Sequence, residues 1–121
     1  LISNIIESNV IQTKWTVDKL TSILINENIK SVLLIGAAFK EDTDDLRNSP
    51  TLDIYKMLHQ KDVNTFIYDE MVELGEYNTL DNLDEISEKT LVVLMYPVKK
   101  ILMERIESII TDTNSILYTP W

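Results

Sequence analysis

The sequence contains no cysteine, only one histidine, and no apolar run long enough to cross a bilayer. Without cysteine the chain has neither a disulfide framework nor a thiolate that serves as nucleophile or metal ligand. A single histidine, with no cluster of His, Asp and Glu, disfavours a transition-metal site. No signal-peptide pattern opens the chain, so we expect a cytoplasmic protein with no membrane partner.

Positive charge is scarce as well. The chain has 11 Lys and Arg against 20 Asp and Glu, a formal net charge of −9. This balance disfavours binding to nucleic acid or to an anionic membrane. A phosphate ligand would need local cations and backbone N–H groups, acting within a repulsive field that salt screens over about 10 Å.

The length of 121 residues and the apolar content of 45% are sufficient for one domain with a real core. Residues 1–27 are predicted to form a helix whose apolar stripe is Ile6, Val10, Thr13, Val17, Leu20 and Leu24. Trp15 lies off this stripe, so we expect the helix to be covered on two sides. Because the chain opens inside this pattern, we expect a domain of a longer protein.

Apolar runs and amphipathic segments alternate along the rest of the chain. Strands are predicted at residues 31–35, 63–68, 90–96 and 115–118, with a further short strand near 77–80. The helix after Pro97 has a predicted buried face of Val98, Ile101, Leu102, Ile106, Ile109 and Ile110. The pattern predicts an α/β fold: a Rossmann-like three-layer sandwich with a parallel sheet of order 3-2-1-4-5, preceded by the N-terminal helix.

The segment Ser31–Pro50 carries the main functional signal. Gly36 ends a buried strand and allows a tight turn or a close backbone approach. Phe39, Lys40 and an acidic loop follow, and Ser49 with Pro50 begins the next helix. Lys40 and Arg47 are therefore predicted at the carboxyl edge of the sheet, where open α/β folds bind ligands. The alternative is a solvated charged loop.

The full string G-x-x-F-K-x-x-T-D-D-x-R-x-S-P closely resembles the C-terminal domain of the UDP-glucose/GDP-mannose dehydrogenase family. In this chain it comprises Gly36, Phe39, Lys40, Thr43, Asp44, Asp45, Arg47, Ser49 and Pro50. The resemblance implies an N-terminal Rossmann domain with NAD and a catalytic cysteine, a dimer-forming central helix, and a C-terminal domain that closes over a UDP- or GDP-sugar. It also implies that the whole protein oxidises the sugar C6 alcohol to a carboxylate in two hydride transfers.

The resemblance also implies a division of the chain and roles for five of the matched residues. Residues 1–27 would end the interdomain and homodimer region, and residues 28–121 would form the nucleotide-sugar-binding domain. Phe39 and Lys40 would bind the substrate, and Arg47 would face the NAD pyrophosphate. Asp44 and Asp45 would shape the loop. The chain has no cysteine and no G-x-G-x-x-G, so we expect no catalytic residue and no catalysis by this segment alone.

Two segments depart from the family pattern. Met95-Tyr96-Pro97-Val98 stands where the family usually has a T-x-H-like turn, and Tyr118-Thr119-Pro120-Trp121 stands where it usually has D-x-R. Two alternatives remain open: Tyr96 and Trp121 stack on a base, or the pocket is weakened or altered. An equal alternative for Trp121 is that it covers the sheet edge. Losing one charge-assisted phosphate contact removes about 1.5–3 kcal/mol of affinity.

Other interpretations are weaker. A degenerate, non-catalytic interaction module of the same fold would keep only the helical dimer face. A receiver-like regulatory domain needs acids after its first strand, where this chain has Gly36. Asp69 invites a ribose-binding role, but without the glycine fingerprint we prefer a turn or loop-ordering role. His59 is predicted to be a surface residue near a helix C-terminus.

Overall fold

The computed structural model describes residues 2–36, 50–69, 77–80, 82–95 and 98–119, with the backbone alone for 2–12 and Pro50. Its helices are α1 (Ile2–Glu27), α2 (Pro50–Gln60) and α3 (Lys100–Thr113), with a 3-10 turn at Leu83–Glu85. Its strands are β1 (Ser31–Ile35), β2 (Asn64–Tyr68), β3 (Leu91–Leu94) and β4 (Ile116–Tyr118). The predicted alternation of strands and helices is confirmed.

The four strands form one parallel sheet of order β2-β1-β3-β4. Val32 is level with Thr65 of β2 on one side and with Leu91 of β3 on the other. Strand β1 is therefore central and buried along its whole length, as its unbroken apolar run predicts. The α/β class with a parallel sheet is confirmed.

The predicted edge strand near residues 77–80 is reduced to one isolated parallel bridge between Thr79 and Ile67. The bridge lies beside β2, the position that the order 3-2-1-4-5 assigns to the third strand. Asn78 and Thr79 are exposed, and the Asn78 N–H donates to the hydroxyl of Tyr55 instead of to a strand. Among the described residues, the pairing with β2 is limited to the backbone hydrogen bonds that Ile67 makes with Asn78 and Leu80.

Helices cover both faces of the sheet. On one face, Val17, Leu20 and Leu24 of α1 and the apolar side of α2 pack against Val32 and Leu34. On the other face, α3 and the 3-10 turn pack against strand residues of opposite parity, through Leu83, Leu33, Ile35, Val92, Leu94 and Ile106. Alternate residues of β1 therefore serve two cores, which is the three-layer arrangement that the sequence predicts.

The predicted buried face of α3 is wrong at one position. Ile101 is 76% exposed, whereas Ile106 is buried and Leu102, Ile109 and Ile110 pack against the same core. Ile101 precedes Ile106 by five residues, which places it about 140° away around the helix axis. Trp15 of α1 is 60% exposed, on the side of that helix turned away from Val17 and Leu20.

Candidate functional site

The carboxyl edge of the sheet is the candidate site. Strand β1 ends at Ile35, and the chain first builds β2 on one side of β1 and later β3 on the other. The carboxyl ends of β1 and β3 thus flank the topological switch point, where open α/β sheets bind ligands. Residues 37–49 connect β1 to α2, so the residues singled out by the sequence pattern belong to the connection that leaves this point.

Gly36 lies at this edge, directly after the last residue of β1. Its φ of 96° lies in the region that a β-carbon disfavours, so a glycine is needed here. Its N–H continues the ladder to the carbonyl of Tyr68 at 2.9 Å, and its own carbonyl accepts from Thr51 Oγ1 at 2.6 Å. Both polar groups of the Gly36 backbone are therefore satisfied.

The neighbouring strand ends are buried to different extents. The N–H of Met95 donates to the carbonyl of Ile35 at 3.0 Å, which carries the β1–β3 ladder one residue beyond β3. Met95 and Tyr68 are buried, in the cores on opposite faces of the sheet. Asp69, the residue after β2, is half-buried. The strand ends on both sides of β1 thus carry buried side chains, and the sheet hydrogen bonding continues up to Ile35 and Gly36.

Helix α3 begins at the same edge. Its N-cap residue is Lys99, which makes no side-chain capping bond, and the first turn of α3 contains no acidic residue. Lys99 and Lys100 are both exposed. The positive end of the helix dipole and two ammonium groups therefore make this end locally favourable to an anion, against the net charge of −9.

The predicted ligand-binding residues Phe39, Lys40 and Arg47 lie outside the described residues, as do Asp44 and Asp45. Their roles remain predictions. Tyr96, Pro97, Pro120 and Trp121 also lie outside the described residues, so the two open alternatives for these segments stand.

Besides Gly36 and Asp69, two further sequence-based assignments fall within the described chain. His59 is exposed near the end of α2, as predicted, and its ring stacks on Tyr55 with a centroid distance of 5.9 Å. Pro50 is the first residue of α2, also as predicted. Thr51 was not singled out by the sequence, although a threonine directly after a helix-starting proline is the available signal.

Among the described residues, no three His, Asp or Glu side chains are grouped so that they could hold a metal ion. None of the helices among the described residues combines the length and apolar character that a membrane span requires.

Comparison with known proteins agrees with the geometry of this edge. The sequence model described as UDP-glucose/GDP-mannose dehydrogenase family, UDP binding domain, matches residues 33–117. This range begins within the central strand β1, ends within β4 and includes the whole connection at the switch point. The chain belongs to the UDP-glucose/GDP-mannose dehydrogenase family.

Named relatives support the family assignment. The chain is 38% identical over 69 residues to UDP-glucose 6-dehydrogenase TuaD of Bacillus subtilis, covering 57% of this chain and 15% of that protein. It is 38% identical over 73 residues to GDP-mannose 6-dehydrogenase of Azotobacter vinelandii, covering 60% and 16%. The match to GDP-mannose 6-dehydrogenase of Pseudomonas savastanoi covers 97% of this chain and 24% of that one, at 29% identity.

A solved structure shares the fold. The UDP-N-acetyl-mannosamine dehydrogenase Cap5O from Staphylococcus aureus superposes with a TM-score of 0.66, at 21% identity over 89% of this chain and 30% of that one. The chain thus spans between about one seventh and one third of the length of the family members compared. It corresponds to the UDP-binding domain that the family description names.

Proposed function

We propose that this chain is the C-terminal nucleotide-sugar-binding domain of an NAD-dependent dehydrogenase that oxidises the C6 alcohol of a UDP- or GDP-sugar. The observation that supports this most strongly is the place of the family motif: it begins at Gly36, on the switch point of the sheet. In this proposal Lys40 pairs with the diphosphate, Phe39 contacts the nucleotide part, and Arg47 faces the NAD pyrophosphate.

The nicotinamide cofactor does not fit the described residues. A dinucleotide-binding unit has a glycine-rich turn after its first strand, with the pyrophosphate on the N-terminus of the helix that follows at once. Here Gly36 is the only glycine between β1 and α2, its N–H already donates to the carbonyl of Tyr68, and α2 begins only at Pro50. We therefore assign NAD binding and the chemical step mainly to a further domain, with residues 1–27 as the end of the region that joins the two.

A binding experiment tests this proposal. UDP, UDP-glucose and GDP-mannose are titrated into the chain by calorimetry and thermal shift. A bound ligand at about 100 times its Kd raises the unfolding free energy by about 2.7 kcal/mol. Lys40→Ala should abolish the rise, whereas Lys56→Ala, an exposed lysine of α2, should keep it. If none of the nucleotides or their sugars shifts the melting temperature at millimolar concentration, the proposal is wrong.

The second candidate is a non-catalytic dimerisation module of the same fold. It is favoured by α1, where Trp15 is 60% and Ile25 is 74% exposed. If this face joins two copies, Trp15→Glu should turn a dimer into a monomer in sedimentation equilibrium. Ile101→Glu, which removes an apolar side chain of α3 that is also largely exposed, should leave the dimer intact. A dimer that shows no nucleotide response would favour this candidate over the first.

A further inference from the structure

Thr51 is a buried polar residue with a defined partner. It is the second residue of α2, its side chain is fully buried, and its Oγ1 donates to the carbonyl of Gly36 at 2.6 Å. The hydrogen bond joins two residues separated by fifteen positions in the chain. The groups left without a partner in the first turn of a helix are backbone N–H groups. The Thr51 hydroxyl donates to a carbonyl outside α2, so this bond does not serve to cap the helix.

The bond lies where the chain leaves the sheet. The carbonyl of Ile35 still accepts from Met95, and the N–H of Gly36 still donates to Tyr68, so both neighbouring strands hold β1 up to this point. At Gly36 the φ of 96° turns the backbone out of the ladder. The Gly36 carbonyl then accepts a hydrogen bond from the Thr51 hydroxyl. Thr51 therefore fixes the orientation of the peptide group that joins Gly36 to residue 37.

The same bond ties together the two ends of the connection that carries the predicted ligand-binding residues. Phe39 and Lys40 follow Gly36 by three and four residues, and Arg47 precedes Thr51 by four residues. We propose that Thr51 is a positioning residue for nucleotide-sugar binding, acting through the Gly36 carbonyl. The inference rests on the proposed function.

A matched pair of threonines tests the inference. Thr65 is also buried, and its Oγ1 also donates to a backbone carbonyl, that of Val63 at 3.0 Å, but at the amino end of β2. Thr51→Val and Thr65→Val each remove one buried hydroxyl and should lower the melting temperature similarly. Only Thr51→Val should raise the Kd for UDP measured by calorimetry, by roughly three- to tenfold.

Rescue by a conservative variant separates positioning from packing. Thr51→Ser keeps the hydroxyl and should bind UDP within about twofold of the unmodified chain, whereas Thr51→Ala should bind as weakly as Thr51→Val. The Ser and Ala variants differ by one oxygen, so this comparison decides the question even if Thr51→Val folds poorly.

Three results would overturn the inference. UDP affinity that is equal in the unmodified chain and in Thr51→Val would remove any role for the hydroxyl in binding. An equal loss of affinity in Thr65→Val would assign the effect to general destabilisation. A lack of UDP binding by the unmodified chain itself would contradict the proposed function, and the inference with it.

Discussion

The backbone N–H of Asn78 donates to the hydroxyl of Tyr55, a buried residue of α2, over 3.1 Å. The ring of Tyr77 meets the ring of Tyr55 edge-on, with a centroid distance of 5.1 Å. One side chain of a helix thus holds the segment that forms the Thr79–Ile67 bridge beside β2. The contact adds to the backbone hydrogen bonds that Ile67 makes with Asn78 and Leu80, so the short segment is held both by α2 and by β2.

Replacing Tyr55 by Phe should therefore loosen the edge segment. The substitution keeps the ring and leaves the Asn78 N–H without its acceptor, which should cost about 0.5–1.5 kcal/mol of unfolding free energy. Chemical denaturation measures the loss, and amide hydrogen exchange should show faster exchange at Asn78. Tyr118→Phe is the control, since the Tyr118 hydroxyl makes no hydrogen bond to another described residue. Equal effects of the two substitutions would contradict the assignment.

Asn28, directly after α1, adopts a left-handed conformation with φ of 55°. The next residue, Ile29, donates to the carbonyl of Leu24 at 2.9 Å, which ends the helix in the manner of a C-terminal cap. Asn28→Gly relieves the cost of a β-carbon in this conformation and should raise the unfolding free energy by a few tenths to about 1 kcal/mol.

The same substitution two residues earlier should have the opposite sign. Asn26 is exposed and still within α1, so Asn26→Gly loses helix propensity and should lower the unfolding free energy by a few tenths of a kcal/mol. Thermal unfolding of the two variants compares them directly. Destabilisation by both would show that the end of α1 is not held as described.

Ile106 and Ile101 lie on the same helix and should differ sharply when shortened. Ile106 is 2% exposed in the core between α3 and the sheet, so Ile106→Ala should cost about 2–5 kcal/mol by lost burial and a residual cavity. Ile101 is 76% exposed, so Ile101→Ala should change stability by less than about 0.5 kcal/mol. A large loss in Ile101→Ala, measured by urea unfolding, would mean that this residue is covered in solution.

The sequence predicted those parts of the fold that depend on local pattern. The apolar run Val32–Ile35 is a central strand because it is apolar on both faces, and the alternation of strands and helices predicts that its neighbours are parallel. The extent of the edge segment at 77–80 could not be predicted in the same way. It depends on Tyr55, which is distant in sequence and supplies the acceptor that a neighbouring strand would otherwise provide.

Part of the candidate site was predictable for a similar reason. Gly36 was identifiable because a glycine at the end of a buried strand indicates a turn, and its positive φ agrees with that interpretation. The partnership of Gly36 with Thr51 was not identifiable, because a threonine hydroxyl has many potential acceptors and the choice is made by tertiary packing of α2 on β1. Spacing alone also placed Ile101 on the wrong face of α3.

Lys89 should stabilise the end of α1 through electrostatics that salt weakens. Its Nζ lies 3.4 Å from both the carbonyl and the Oε2 of Glu27, the last residue of the helix. A carboxylate at a helix C-terminus is unfavourable, and the ammonium offsets it. Lys89→Met should therefore destabilise the chain, whereas Glu27→Gln should have a smaller effect because it also removes that repulsion.

A double-mutant cycle of Lys89→Met and Glu27→Gln measures the coupling between the two side chains. Both are partly exposed, at 33% and 48%, so the coupling should be only about 0.2–1 kcal/mol. It should shrink towards zero near 1 M salt, where the Debye length falls to about 3 Å. The contact of Lys89 with the Glu27 carbonyl is also present in the Glu27→Gln background, so Lys89→Met should still destabilise that variant. If Lys89→Met has no effect there, Lys89 acts on the carboxylate alone and does not cap the helix.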